Sequence, residues 1–281
     1  MVPILHAPSG APLRASVRLF HEVARRSYRR FSTYRGATFA GVFTNTVFGF
    51  LMAYVLLAVV HDAGGNVGGL DANAAVTYTF VAQGFLATVG AFGELGIGER
   101  IRTGDIVIDL YRPVDFQQYW LAQDLGRAAF QAIFRGIPPF LLGALVFELQ
   151  VPSSAGVWAA FVGSAALAVV VSFGCRFITS LSGFWLLDAR GANQLATSVV
   201  MFFSGFIIPI SFFPTWLADI ARLLPFVAIV QLPLEIFLGL QVGAGAIAEV
   251  LAVQVLWAVV LLGIGRHVLA RATRKVVVQG G

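Results

Sequence analysis

Long apolar stretches alternate with short polar stretches along most of the chain. Six of them contain few or no charged residues and reach roughly 20 residues, the length of helix that crosses about 30 Å of hydrocarbon at 1.5 Å per residue. They cover residues 36–60, 72–93, 128–147, 156–175, 195–213 and 247–265, with ends that can move by several residues. The pattern predicts an all-α integral membrane protein with six transmembrane helices.

The amino-acid composition also indicates a membrane environment. The 281 residues are 58% hydrophobic and 12% charged, whereas about a quarter of the residues of a soluble domain are charged. We expect two parts: an arginine-rich segment, residues 1–35, and a single six-helix membrane domain, residues 36–281. The single cysteine, Cys175, excludes an intrachain disulfide and a thiolate metal cage.

The first 35 residues predict an amphipathic helix before the first span. Apolar residues recur every three or four positions from Leu13 to Phe31, and arginines lie on the other face. Such a helix is typical of the membrane interface, so we expect an N-terminal elbow helix. Two interpretations stay open: an anchor that only sets topology, or a helix that lies along the inner leaflet beside a partner subunit.

The distribution of arginine predicts orientation. Residues 1–35, the 94–115 loop and the tail, residues 266–281, are rich in arginine, whereas residues 61–71 contain no Lys or Arg. Because short cytoplasmic loops are enriched in these residues, we expect both termini in the cytoplasm. We expect no cleavable signal peptide, since the first apolar run begins after residue 35 and is too long for one.

Residues 209–239, the proline segment, follow the fifth apolar stretch with prolines at 214, 225 and 233. Proline lacks a backbone donor and clashes with the preceding turn, so the segment is expected to divide into short helices. Thr215 is expected to cap the first piece. Broken backbone at membrane depth requires protein or water around it. The topology places the segment outside, as re-entrant helices between spans five and six that plug the path. The candidate plug residues are Pro214, Trp216, Pro225, Phe226, Pro233 and Glu235.

Motifs of enzymatic chemistry are missing from the sequence. A P-loop needs a lysine after its glycines, and the only lysine is Lys275, near the end of the chain. The sequence contains no GxSxG motif, no HExxH motif and no cysteine–histidine cluster. We therefore expect no catalytic residue, no metal site and no cofactor in this chain.

The 94–115 loop mixes charges of both signs with aliphatic residues such as Ile106 and Ile108. A solvated connector gains nothing from these aliphatic side chains, and Pro113 fixes the backbone just before the next helix. The pattern favours a surface for a protein partner. The alternative of a plain connector stays open.

Four polar residues of the third predicted helix, Asp124, Arg127, Gln131 and Arg135, follow at spacings of three or four and share a face. Too few residues follow Arg135 before Glu148 to cross a bilayer, so the span must include Arg135. A membrane arginine snorkels, pairs between helices or lines a cavity. Arg127, Gln131 and Arg135 are therefore possible path-lining residues.

Two motifs together resemble the type-2 permease subunits of ATP-binding-cassette (ABC) transporters. The first is GxIxxxLxRPVD at residues 104–115. The second is the proline segment, with PISFFP at 209–214, LPF at 224–226 and then Pro233, Ile236, Phe237 and Gly239. The motifs follow in the family's order, on the predicted sides of a six-span chain, and the resemblance extends from the elbow helix to the sixth span.

The resemblance implies a bacterial, exporter-like permease of the plasma (inner) membrane that forms the translocation path with a second permease, the same or a homologous chain. Two separate ATPase subunits would bind ATP and Mg, and the 94–115 loop would couple to them. Other implied partners are membrane lipid and a small-molecule or lipid-like substrate, without nucleic acid. The candidate coupling residues are Glu94, Glu99, Arg100, Arg102, Asp105, Asp109, Arg112, Pro113 and Asp115. An ion-driven secondary transporter and an intramembrane enzyme are the alternatives.

Overall fold

The computed structural model describes residues 13–91, 93–186 and 190–279. Within these ranges the regular elements are helical, apart from an isolated bridge between Val67 and Leu70. The all-α prediction is therefore confirmed. The first twelve residues of the predicted elbow segment and the last two of the predicted tail lie outside the described residues.

The helices differ widely in length, and three short irregular turns interrupt or join them. In chain order the helices are α1 (Leu13–Ser32), α2 (Arg35–Asp62), α3 (Ala72–Thr88), α4 (Ile97–Thr103), α5 (Ile106–Leu110), α6 (Phe116–Gln131), α7 (Ile137–Ala144), α8 (Ala155–Leu181), α9 (Gly183–Leu186), α10 (Arg190–Phe203), α11 (Thr215–Arg222), α12 (Gln231–Phe237) and α13 (Gly243–Gln279). A π-helical turn, Ala132–Gly136, joins α6 to α7, and 3-10 turns occupy Ile210–Phe212 and Pro225–Ala228.

Three of the described helical stretches are long and apolar enough to cross a membrane: Arg35–Asp62, Ala155–Leu186 and Gly243–Arg274. They correspond to the first, fourth and sixth predicted spans. The second and fifth predicted spans fall on α3 and α10, which have 17 and 14 residues. The third falls on α6, the π turn and α7. The six-span count stays a prediction.

The helix of the third predicted span begins at Phe116, well before the expected start near residue 128. The Asp115 carboxylate caps it by accepting a hydrogen bond of 2.8 Å from the Gln118 backbone N–H. Hydropathy alone misses the part of α6 before residue 128, because the charged residues Asp124 and Arg127 lie in it. Pairing between these charges lets the helix begin earlier than hydropathy indicates.

The proline segment forms short helices, as expected, but two details differ. Thr215 does not cap α11: it is the first helical residue, and Pro214 occupies the cap position without a side-chain hydrogen bond. Pro233 does not break α12, because it lies in the first turn, where a backbone N–H has no helical acceptor. The re-entrant, outer position of the segment stays a prediction.

Helix α3 is at the centre of the bundle, and every residue from Ala74 to Phe85 is buried. Asn45 of α2 donates a hydrogen bond of 3.1 Å to the Gln83 carbonyl on one flank of α3. On another flank the backbone of α3 approaches the π turn closely. The residues of α3 therefore join the main core, which also includes α8, the proline segment and α13.

Helices α8 and α13 lie side by side in the same direction. The Ser164 hydroxyl donates to Gln254 Oε1 at 2.8 Å, and Gln254 Nε2 donates to the Ala228 carbonyl of the proline segment, also at 2.8 Å. Two turns or more along both helices, Gly174 faces Leu261. Gln254 thus joins three elements inside an apolar region, where an unpaired amide would be costly.

The elements that are rich in arginine meet at one end of the molecule, the arginine-rich end. There Arg266 of α13 pairs with Asp115 at 2.6 Å, and Ser27 of α1 donates to the Gln123 carbonyl of α6 at 2.6 Å. The proline segment and the turns before α3 and α8 lie at the opposite end, the proline end. The chain therefore places the arginine-rich segments together.

Helix α1 packs along α6 through a close backbone contact. Gly126 lies so near the Ala24 carbonyl that an added Cβ would collide with it. Beside this contact the ring of Tyr28 meets Phe130 edge-on, with centroids 5.6 Å apart. The predicted amphipathic helix is present, whereas its place in a membrane interface stays a prediction.

Replacing Gly126 by alanine should loosen α1 from α6. The new Cβ meets backbone, which cannot rotate away, and overpacking costs about 1–3 kcal/mol, against about 1 kcal/mol gained in helix propensity. We expect a lower melting temperature of the purified full chain in detergent. Gly163→Ala is the control, since nothing lies within 4 Å of a Cβ there. Equal melting temperatures for the two variants would contradict the contact.

Candidate functional site

A buried ion cluster of Asp124, Arg127 and Arg176 joins α6 to α8. Asp124 is only 3% exposed. Its carboxylate accepts hydrogen bonds from Arg127 Nε at 2.8 Å and from Arg176 Nη2 at 2.5 Å. A buried carboxylate is tolerated when charged partners hold it in this way, and each partner becomes costly to remove.

The same cluster holds the end of α3. The Arg127 guanidinium donates to the carbonyl oxygens of Ala87 at 2.6 Å and of Thr88 at 2.9 Å. Ser172 of α8 donates to the next carbonyl, that of Val89, at 2.7 Å. The last carbonyls of a helix lack helical donors, and its C-terminus favours cations. Three helices are therefore fixed together where the chain leaves α3 for α4.

The 94–115 loop is a compact unit built around Asp109. This carboxylate is buried and pairs with Arg100 of α4 and with Arg112, whose Nη1 lies at 3.2 Å. Ile97 and Ile106 are buried against the arginine-rich end of α8 in a separate apolar cluster. The structure therefore gives Asp109 and Arg100 a role inside the unit, and its apolar side fixes the unit to the bundle.

Both ends of the loop are also tied to other elements. At the start, Asn193 of α10 donates to Glu94 at 3.4 Å. At the end, Asp115 caps α6 and pairs with Arg266 of α13. Pro113 is exposed between α5 and this cap. The loop is thus attached to three long helices at once.

The rim of the loop faces outward with charged and apolar side chains. Glu99 pairs with Arg102 at 2.5 Å, and both side chains are about half exposed. Asp105 is exposed and accepts a hydrogen bond from Thr103 at 3.0 Å. Ile108 is 60% exposed although it is aliphatic. Glu99, Arg102 and Asp105 are candidate coupling residues, and Ile108, which is not one of them, is exposed on the same rim; Glu94, Arg112 and Pro113 are exposed as well.

At the proline end, a buried hydrogen-bond network surrounds Gln231 and Glu235. Gln231 Oε1 accepts from the Tyr78 hydroxyl at 2.8 Å and from the Ile210 backbone N–H at 3.1 Å, while its Nε2 donates to Glu235 at 3.0 Å. Glu235 also accepts from Arg222 at 3.3 Å. The network fixes the proline segment to α3.

Sequence reasoning selected Glu235 but missed Gln231, Tyr78 and Gln254. The available signal was weak: each is a polar side chain within an apolar run, which alone does not reveal its partner. Among the other candidate plug residues, Pro233 is buried and Pro225 and Phe226 are partly buried, whereas Pro214 and Trp216 are exposed. The structure therefore brings only part of the predicted set together with the network.

The three possible path-lining residues differ in their surroundings. Arg127 is held by the ion cluster. In contrast, Gln131 Oε1 and Arg135 Nε are buried without a hydrogen-bond partner among the described residues. The Arg135 guanidinium lies against the backbone of Gly41 in α2. A path lined by all three residues stays a prediction.

Two cavities flank the ion cluster. A cavity of about 150 Å³ lies between α8 and α10, where Arg176 and Asn193 reach its wall, and Asn193 Oδ1 is buried without a partner among the described residues. A wider cleft of about 440 Å³ separates α1 from the 94–115 loop and has Asp124 and Arg127 in its wall. The described residues include no group of three or more His, Cys, Asp or Glu placed to hold a metal ion.

Comparison with protein families gave a match over most of the chain. A family described as "ABC-2 family transporter protein" matches residues 47–280. The matched range contains the ion cluster, the 94–115 loop and the proline segment. Comparison with curated proteins and with solved structures gave no match.

Asp124→Asn should destabilise the protein strongly, because it leaves two guanidinium groups near one another without their anion. Breaking a buried ion pair costs about 3–5 kcal/mol. We expect a clearly lower melting temperature of the purified chain and increased protease cleavage near the end of α3. Asp219→Asn is the matched control, since Asp219 is exposed and has no ion pair with a described residue. A melting temperature of Asp124→Asn equal to that of the control would contradict the structural role of the cluster.

Proposed function

Because the chain belongs to the ABC-2 family of transporter proteins, we propose that it is a permease subunit of an ABC exporter. It forms the translocation path with a second permease, the same or a homologous chain. Two separate ATPase subunits bind ATP and Mg²⁺, and this chain itself needs no cofactor. The cargo is a small-molecule or lipid-like compound, and membrane lipid surrounds the bundle.

The observation that carries the proposal is the attachment of the 94–115 loop. Its rim is accessible, its interior is held by Asp109, and its ends are tied to α6, α10 and α13. The ion cluster lies directly behind it and fixes α3, α6 and α8. A partner that pushes on the rim therefore moves a stiff unit that is joined to most of the bundle.

Such an arrangement suits coupling to ATP hydrolysis in a partner. Closure of two ATPase subunits would displace the rim, and the attached helices would tilt between inward-facing and outward-facing states. We assign the partner contacts to Glu99, Arg102, Asp105 and Ile108. Asp109, Arg100 and Arg112 keep the shape of the unit.

The orientation follows from the arginine-rich end. We place this end, with both termini, in the cytoplasm of a bacterium and the bundle in its plasma (inner) membrane. Support comes from the meeting of α1, the 94–115 loop and the last turns of α13 at one end, as the enrichment of Lys and Arg on the cytoplasmic side requires.

The proline segment then lies on the outer side, where we propose that it closes the path. Its short helices can fill a re-entrant position because the Gln231–Glu235 network satisfies backbone and side-chain groups inside protein. Opening requires these hydrogen bonds to be exchanged for others. The segment is therefore the outer plug, and α3 is the element that it closes against.

The function is tested by the assembly of the complex. The wild-type chain, extracted from its native membrane, should co-purify with a P-loop ATPase that substrate stimulates. The double variant Glu99→Lys/Asp105→Lys should lower the stimulation about tenfold through charge repulsion at the rim. Because the Glu99–Arg102 pair is partly exposed, its loss costs at most about 1 kcal/mol of stability.

The matched control reverses two exposed acids near the proline end, Asp219→Lys with Glu249→Lys, and should leave stimulation unchanged. Equal stimulation in both double variants would reject the rim as the contact. Transport by the purified chain that follows a proton or sodium gradient without an ATPase would instead favour an ion-driven secondary transporter.

The plug is tested by a cross-link between Ser204, which directly follows α10, and the proline segment. The backbone N–H of Gln231 donates to the Ser204 carbonyl at 2.9 Å, so cysteines at these two positions are close enough for a disulfide. In a Cys175→Ser background, oxidation of Ser204→Cys/Gln231→Cys should stop transport in proteoliposomes while nucleotide binding by the complex persists. Reduction should restore transport. The single cysteine variants control for loss of the Gln231 side chain, and undiminished transport in the oxidised protein would refute the plug.

A further inference from the structure

Arg135 carries a charge that no described residue neutralises. Its Nε is buried without a hydrogen-bond partner, and it forms no ion pair with a described carboxylate. A second cation, Arg127, lies near enough to interact with it electrostatically. The Arg135 side chain is half-buried, and a charge at membrane depth is costly and is normally paired. We therefore expect an anion from outside the chain to pair with Arg135.

The backbone is arranged to hold this side chain in a niche. Arg135 lies in the π-helical turn Ala132–Gly136, and such turns often occur at functional sites. Its guanidinium covers Gly41 of α2, where an added Cβ would occupy the same space. Only a residue without a side chain leaves room for the guanidinium there.

A second unpartnered group lies beside it. Gln131 precedes Arg135 by four residues, is 8% exposed, and has a buried Oε1 without a partner among the described residues. Its carboxamide can both donate and accept hydrogen bonds, and the guanidinium offers a fork of donors that suits phosphate oxygens. Together the two side chains match a phosphate ester that also carries a hydroxyl.

The surroundings favour a lipid over a free ion. Gly41 is six residues after the start of α2, about 9 Å from the arginine-rich end at helical rise. The two elements that form the niche also present exposed apolar side chains, namely Phe39 and Phe43 of α2 and Phe134 of the π turn. Acyl chains can cover such side chains, whereas a free phosphate cannot.

We propose that Arg135, set against Gly41, binds the phosphoryl group of an anionic phospholipid in the leaflet at the arginine-rich end, while Gln131 Oε1 accepts a hydrogen bond from a hydroxyl of the same headgroup. A zwitterionic headgroup fits less well, because its ammonium group would lie near Arg127 and Arg135, and the nearby Asp124 carboxylate is already paired with Arg127 and Arg176. Basic pockets between transmembrane helices select anionic headgroups for this reason. The site does not include the proposed ATPase contacts, so the lipid-binding proposal can be tested independently of the proposed transport function.

The test uses the purified full chain in vesicles that contain equal amounts of phosphatidylglycerol and phosphatidylcholine. Native mass spectrometry after extraction counts the lipids that stay bound. The wild type should retain phosphatidylglycerol in preference to phosphatidylcholine. Arg135→Gln should reduce the retention of phosphatidylglycerol about tenfold, as expected for loss of a charge-assisted contact. Arg135→Lys keeps the charge but not the fork, so an intermediate retention is expected.

Gly41→Ala is an independent test of the niche, because it leaves the charge unchanged. The added Cβ displaces the end of a flexible side chain rather than backbone, so the fold is kept while the niche is filled. We expect weaker retention of phosphatidylglycerol than in Gly36→Ala, the control on the same helix, where a Cβ meets nothing within 4 Å.

Three results would overturn the proposal. The first is equal retention of phosphatidylglycerol by the wild type and Arg135→Gln. The second is displacement of the lipid by millimolar inorganic phosphate, which would identify a site for a free anion. The third is loss of a dimer in Arg135→Gln with unchanged lipid binding, which would assign the anion to a second copy of the chain.

Discussion

The interaction on which the rest of the structure depends is the carboxylate of Asp124 between two guanidinium groups. One anion cannot neutralise both Arg127 and Arg176, and the remaining positive charge is directed at the last carbonyls of α3. The carbonyls at the end of α3 lack helical donors, and the two guanidinium groups have no second carboxylate among the described residues, so each side satisfies the other. Because removing any member leaves a buried group unsatisfied, three helices behave as one body at this level.

The two ends of the bundle are held by different chemistry. At the arginine-rich end, buried carboxylates form ion pairs with arginine side chains. At the proline end the Gln231–Glu235 network combines neutral hydrogen bonds with bonds to the buried Glu235 carboxylate, which also pairs with Arg222, and Gln254 adds a neutral junction. A neutral hydrogen bond is worth about 1 kcal/mol net, whereas a broken buried ion pair leaves an uncompensated charge. The neutral junctions are therefore the contacts that can be exchanged at the lowest cost.

Hydropathy predicted the elements that lipid alone determines. The helices α2, α8 and α13 follow from long apolar runs, and α1 follows from its amphipathic period. Prediction failed where a partner elsewhere in the chain decides. The charges within α6 are paired with one another and with Arg176 of α8, and Pro233 is harmless only because α12 begins two residues before it. The pairing of Tyr78 with Gln231 joins residues that are distant in sequence, so no local pattern contains it.

The 94–115 loop shows the same limit at the candidate site. Its charges look equivalent in sequence, yet Asp109 faces inward to Arg100 and Arg112 while Glu99 and Asp105 stay accessible. The inward pairs have a consequence for the proposed function. A flexible loop would absorb the displacement that a closing ATPase imposes, whereas a unit with its own buried carboxylate and an apolar base transmits it. The mixed charge and aliphatic pattern is thus the composition of a small rigid body, and stiffness is the property that coupling across the membrane interface requires.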